Sequence, residues 1–207
     1  LNNSLAPIKS IAGTLALLVG RAELPTELRQ DMQQGLQVIE NRVESLGRFM
    51  QAYTQLARMP APARAHTDLS TLVHRSAAVE RRLPVSVLEG PQTAIHADPD
   101  QLEQVLINLI RNAVDASLDP SLTAPGKVSI GWRQSPHSLE IFVQDEGPGL
   151  LNGDNLFVPF FTTKMGGSGI GLILSRQIAE AHGGMLQLAN RKDRAGCEAT
   201  LLLPLKG

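Results

Sequence analysis

The sequence predicts a hairpin of two long helices followed by an α+β sandwich, in which helices cover a largely antiparallel sheet. Three observations carry that expectation. Apolar residues recur at heptad spacing through the first 58 residues. Met59-Pro60-Ala61-Pro62-Ala63 then breaks the pattern, because two prolines in three residues disfavour helix and stiffen the chain. Beyond the break, short stretches of helical period and of strand alternation follow one another.

In the first helix Leu1, Leu5, Ile8, Ala12, Leu15 and Val19 share one stripe, and Pro7 falls early enough to be accommodated. The helix ends at Arg21-Ala22-Glu23-Leu24-Pro25, and Thr26 reads as the N-cap of the next. There Met32, Leu36, Ile39, Val43, Leu46, Met50, Tyr53 and Ala57 keep a 4-3 alternation. From Thr26 to Arg58 such a helix extends ~50 Å at ~1.5 Å per residue. One hairpin has too little core to stand alone, whereas two buried seam to seam make a four-helix bundle. A homodimer through residues 1–58 is therefore expected, with 59–67 as linker and 68–207 as a second domain.

In that second domain Asp68 to Glu80 reads as helix, and Leu83–Leu88 and Thr93–His96 as short strands. Asp98 to Ser117 is a strong helix, with Pro99 suited to its first turn. Lys127–Gln134 and Leu139–Gln144 alternate as a hairpin. Ile170 to His182 is helical and stopped by Gly183-Gly184, and Met185–Asn190 and Glu198–Leu205 close the sheet.

Composition narrows the function classes. The chain has 207 residues, 43% of them apolar, and a formal net charge of -1, so no electrostatic footprint for nucleic acid or for a membrane surface is present. One cysteine, Cys197, permits no intrachain disulfide and suits a reducing, cytoplasmic compartment. No apolar run approaches the ~18 residues of a membrane span. The chain begins at Leu1 without Met or a signal-peptide pattern, and reads as part of a longer protein whose other segments could carry an anchor.

Four segments carry candidate chemistry. Asn108, Asn112 and Asp115 lie four and three residues apart, on one face of an otherwise apolar helix. An amide oxygen there can ligate Mg²⁺, or bond neighbouring backbone. Asp145-Glu146-Gly147-Pro148-Gly149 follows a strand directly. Asp145 can accept from an exocyclic amine while the glycines admit a flat base, although the pattern also suits a β-turn. Phe157 to Lys164 holds three of the five Phe, which could anchor a segment presenting Lys164 to a phosphate, or simply pack on the core. Gly166-Gly167-Ser168-Gly169-Ile170-Gly171-Leu172 runs into a helix, an anion site by virtue of free N–H groups and helix dipole. It is neither a dinucleotide fingerprint nor a P-loop, since no strand precedes it and no G-K-[ST] follows.

In this order the segments resemble the N, G1, F and G2 boxes of the Bergerat-type ATPases, the superfamily of gyrase, Hsp90, MutL and histidine kinases. The resemblance covers roughly Asp68 to the C-terminus and implies the Bergerat sandwich with ATP and Mg²⁺ bound. It implies that Asn112 ligates Mg²⁺ beside Asn108, that Asp145 binds the adenine amine, and that Gly147 and Gly149 shape the base pocket. Lys164 meets the terminal phosphate, Gly167, Ser168, Gly169, Gly171 and Leu172 lie along the phosphates, and Asp115 and Thr200 complete the nucleotide contacts. Leu150 to Gly166 is the implied ATP lid.

Gyrase-like and MutL-like members carry a general-base glutamate where this chain has Asn108, and an amide takes no proton at neutral pH. That favours phosphoryl transfer over hydrolysis. Leu1-Asn2-Asn3-Ser4-Leu5-Ala6-Pro7-Ile8 resembles the tail of a histidine-kinase H-box, closest to nitrogen-regulation-type sensors, and Phe161-Thr162-Thr163-Lys164 agrees. The resemblance places the phosphoacceptor His two positions before Leu1, makes Asn3 a candidate for dephosphorylating a response regulator, and implies a receiver domain as partner. His66, His74, His96, His137 and His182 all fall outside the hairpin and read as structural or solvated. A hydrolysing clamp ATPase and a non-catalytic dimeric nucleotide sensor are the alternatives.

Overall fold

A computed structural model describes residues 2–21, 24–57, 59–150, 156–158 and 169–205. The described residues form two compact units, one running to Met59 and one from Pro60 onward.

The first unit is a helical hairpin, α1 (Asn2–Arg21) and α2 (Thr26–Ala57). Pro7 sits inside α1, where its ring removes one backbone bond. Arg29 N–H donates to the Pro25 carbonyl at 3.0 Å, so Pro25 holds the cap position and Thr26 stands one residue inside the helix. Ala12 and Val19 are buried, at 3% and 7% exposure. Ile8, Leu15, Met32, Ile39 and Leu46, on the same heptad stripes, stay 43–47% exposed, because two helices meet along a single line.

The second unit runs β1 (Ala65–Asp68), α3 (Leu69–Ala78), β2 (Val85–Leu88), β3 (Ala94–Ala97), α4 (Pro99–Ser117), β4 (Val128–Gln134), β5 (Ser138–Asp145), α5 (Gly171–Ala181), β6 (Met185–Asn190) and β7 (Cys197–Pro204). Five strands pair in the order β2-β4-β5-β7-β6, and β1 and β3 form a separate ribbon. Among the described residues only β2–β4 is parallel; the other pairs are antiparallel. Period-2 alternation sends Ile130 and Trp132 of β4, Leu139, Ile141 and Val143 of β5, and Ala199, Leu201 and Leu203 of β7 into one buried layer. Leu69, Leu72 and Val73 of α3, Leu102, Val105, Leu106, Leu109 and Ile110 of α4, and Ile178 of α5 complete it. This is the expected α+β sandwich.

Local chemistry sets the helix ends. Asp98 caps α4 by accepting from Asp100 N–H and Gln101 N–H, and Pro99 occupies the first turn. Asp68 caps α3 by accepting from Thr71 N–H at 2.8 Å. At the end of α5, Gly183 takes φ +76° and Gly184 N–H returns to the Ala179 carbonyl at 2.8 Å, a glycine C-cap. β1 is a departure from expectation: its residues read as linker and helix start. Only Thr67 of its four residues is buried, so no alternation marks it, and pairing with β3 alone makes it a strand.

The start of α4 also gathers the preceding segment. Gln101 Nε2 donates to the Pro60 carbonyl at 3.0 Å, and Ala63 N–H to Asp98 Oδ2 at 2.8 Å. Asp98 N–H donates to His182 Nε2 at 3.1 Å, so Nδ1 carries the ring proton and gives it to the Ile178 carbonyl at 2.8 Å. Buried His182 is thereby a fixed junction between α4 and α5.

Candidate functional site

Asp145 ends β5, opposite Val128 of β4, and is 5% exposed. Its Oδ1 accepts from Gly147 N–H at 2.9 Å and Cys197 N–H at 3.1 Å. Two main-chain donors thus orient a buried carboxylate at a strand end. Two glycines permit the arrangement. A Cβ on Gly147 would stand 2.8 Å from Ala116 of α4, so only glycine lets this loop lie against the helix. A Cβ on Gly196, at φ +122°, would stand 2.0 Å from the Asp145 carbonyl oxygen. Gly149 takes φ +82°.

α4 is the wall shared by the other segments. Asn108 and Asn112 are half-buried on it, one turn apart. Asn108 Nδ2 donates to Ser175 Oγ of α5 at 3.0 Å. A Cβ on Gly171 would meet Asn108 Oδ1 at 2.3 Å, so glycine is required for α5 to begin against α4. Gly169 takes φ +65° before Ile170, and among the described residues no side chain caps the first N–H groups of α5. Leu172 is half-buried in that first turn. Uncapped N–H groups at a helix start make a favourable seat for an anion.

One expected contact lies elsewhere, and a second has an ion partner. Thr200 pairs with Phe142 and Gln187 in the ladder, at alternate parity to Cys197 and Ala199, so it belongs to the sheet face opposite Asp145. Asp115 shares the face of α4 as expected, but its Oδ1 takes Arg82 Nη1 at 2.6 Å. Arg82 also donates to Glu80, and that hydrogen bond above all holds the Glu80 carboxyl down at about 2. Charge neutralisation by Arg82 therefore accompanies Asp115. Lys164, Gly167 and Ser168 lie outside the described residues; Asn3 is part of α1.

Sequence reasoning missed Cys197, Gly196, Arg191 and Ser175. Gly196 one residue before a strand is the signal that could have found the first three. Cys197 is buried, and burial first, then the Asp145 charge, pushes its thiol up to about 12. It serves the site through its N–H, a role open to almost any residue type.

The donor set fits a nucleotide with Mg²⁺. A buried carboxylate suits an exocyclic amine, amide oxygens on α4 suit a hard cation, and glycine cradles that a Cβ would fill flank both. Comparison with known proteins bears on this. Residues 97–207 match the model of the histidine kinase-, DNA gyrase B- and HSP90-like ATPases. The chain belongs to that ATPase family.

Among curated members, the sensor histidine kinase ZraS of Escherichia coli (strain K12) is 32% identical over 96% of this chain and 43% of its own length. The nitrogen regulation protein NtrY of Azorhizobium caulinodans is 27% identical over all of this chain and 28% of its own. The chain thus spans less than half of these relatives. The ATP-binding domain of PrrB from Mycobacterium tuberculosis has the same fold, with a TM-score of 0.56 at 27% identity, covering 70% of this chain and 98% of that one. This ATPase-family chain therefore carries a histidine-kinase catalytic core similar to nitrogen-regulation-type sensors. No described helix is long and apolar enough to cross a membrane.

Proposed function

We propose that this chain is the working core of a two-component sensor histidine kinase, passing the γ-phosphoryl of Mg·ATP to a histidine on its helical hairpin and then to an aspartate of a response-regulator receiver domain. The observation that carries the reading is Asn108. It stands where hydrolysing relatives hold a glutamate base, and its amide is committed to Ser175. An amide bound in this way bridges two helices and withdraws no proton from water.

The remaining residues take roles by chemistry. Asp145, held by Gly147 N–H and Cys197 N–H, accepts the adenine amine. Asn112 offers its oxygen to Mg²⁺, Asn108 lines the same wall, and Lys164 with Gly167, Ser168, Gly169 and Gly171 receives the phosphates. Mg²⁺, when bound, neutralises charge on the phosphates. The protein's own contribution is positioning and electrostatics, in line with the general demands of phosphoryl transfer. Asn3 is the candidate for regulator dephosphorylation. The exposed stripe of Ile8, Leu15, Met32, Ile39 and Leu46 supports a homodimer through the hairpin.

The test is direct. A chain extended to include a histidine two positions before Leu1 is incubated with γ-labelled ATP. Acid-labile, base-stable label on the protein is the expected result. Steady phosphate release without protein label would instead favour the hydrolysing ATPase.

A further inference from the structure

The turn joining β6 to β7 reaches back over the segment Asp145–Leu150 at five points. Cys197 N–H meets Asp145 Oδ1 at 3.1 Å, and Arg191 Nη1 donates to the Asp145 carbonyl at 3.3 Å. Arg194 Nη1 pairs with Glu146 Oε1 at 2.9 Å. Asn190 Oδ1 accepts from Leu150 N–H at 2.6 Å while its Nδ2 donates to the Leu150 carbonyl at 3.2 Å. The β5–β7 ladder stops at Gln144–Glu198, so beyond it side chains continue the bonding that a strand would otherwise provide.

Arg191 is built into this position. Its side chain is 10% exposed, and Asp193 clamps it with two bonds, at 3.1 Å to Nε and 2.9 Å to Nη2. Arg191 N–H also closes the turn on the Gly196 carbonyl at 3.0 Å. Asn190 imitates a strand partner, giving Leu150 one donor and one acceptor. Gly149 follows from that contact: a Cβ there would stand 2.8 Å from Asn190 Oδ1.

We propose that Arg191 and Asn190 are positioning residues that set adenine specificity, acting through Asp145 and the glycine loop after it. A carboxylate–amine hydrogen bond is directional. Rotation of the Asp145 peptide would move Oδ1 off Cys197 N–H, and the carboxylate would then swing away from the plane of a bound purine. Arg191 holds that peptide at its carbonyl, and Asn190 fixes where the loop ends. The inference rests on Asp145 as the base contact.

The test compares ATP with purine-riboside triphosphate, which lacks the exocyclic amine, by calorimetry on the full chain. The native protein should prefer ATP. In Arg191→Met and Asn190→Ala the preference should fall about tenfold, the worth of one hydrogen bond to a charged group, with the affinity for purine-riboside triphosphate nearly unchanged. Arg191→Lys, which keeps a cationic donor, should restore part of it. Without nucleotide, amide exchange at Gly147 and Cys197 should quicken in Arg191→Met, a readout independent of binding. Folded variants that keep the native preference, or lose both nucleotides equally, overturn the proposal. A native protein with no preference for ATP overturns the role of Asp145 itself, a distinguishable failure.

Discussion

Asp145→Asn keeps an oxygen for the Gly147 and Cys197 N–H groups but removes the charge offered to an exocyclic amine. ATP binding should weaken by ~1.5–3 kcal/mol in calorimetry with little change in thermal stability. Cys197 gives a second prediction at this scale. With its thiol pushed up to about 12 by burial, it should resist alkylation by iodoacetamide at mildly alkaline pH until the domain unfolds. Glu80 and Asp193 give a third. Arg82 bonds the one and Arg191 the other, and each carboxyl is depressed to about 2, from 4.5 and 3.8. A carboxyl depressed by folding stabilises the fold above its ordinary value. That contribution is lost as pH falls from 4.5 towards about 2. The melting temperature should fall through that window, and Glu80→Gln should flatten part of the fall. Of these residues Asp145 was legible in sequence only in company with the other three segments, because a carboxylate after a strand and before two glycines also suits a β-turn. Arg82 and Arg191 were not: an arginine in sequence is a solvated charge until its partner is placed.

Among elements, α4 is central to the candidate site, since Asn108, Asn112 and Asp115 ride on it and both α3 and α5 pack against it. Its start depends on Asp98, which caps Asp100 and Gln101 N–H and binds Ala63 N–H of the incoming segment. Asp98→Ala should cost about 1–2 kcal/mol, the usual worth of a cap, measured by denaturant unfolding. α4 was visible in sequence almost to the residue, because a long apolar stripe, a capping Asp and a first-turn Pro agree. β1 was invisible, because four residues with one buried side chain exist as a strand only beside β3. Thr200 shows the same limit. Its strand was expected, but which face it joins depends on register, and a shift of one residue inverts the answer.

For the whole chain, the exposed hairpin stripe leads to a prediction about assembly. Sedimentation at micromolar concentration should report a dimer, and Ile39→Glu should convert it to a monomer that still binds ATP. A second unit with its own core and with every described residue of the candidate site makes that separation possible.

The sequence alone determined the order of elements apart from β1, the four chemical segments and the family they resemble. Each of these follows from local periodicity, caps and glycine placement, which neighbours in the chain decide. Tertiary structure alone decided that Asn108 bridges to Ser175, that Asp115 is shared with Arg82, that Cys197 and not Thr200 meets Asp145, and that the β6–β7 turn braces the glycine loop. Those contacts join residues 33 to 67 positions apart, and no local rule in a chain fixes which distant donor a buried acceptor will find.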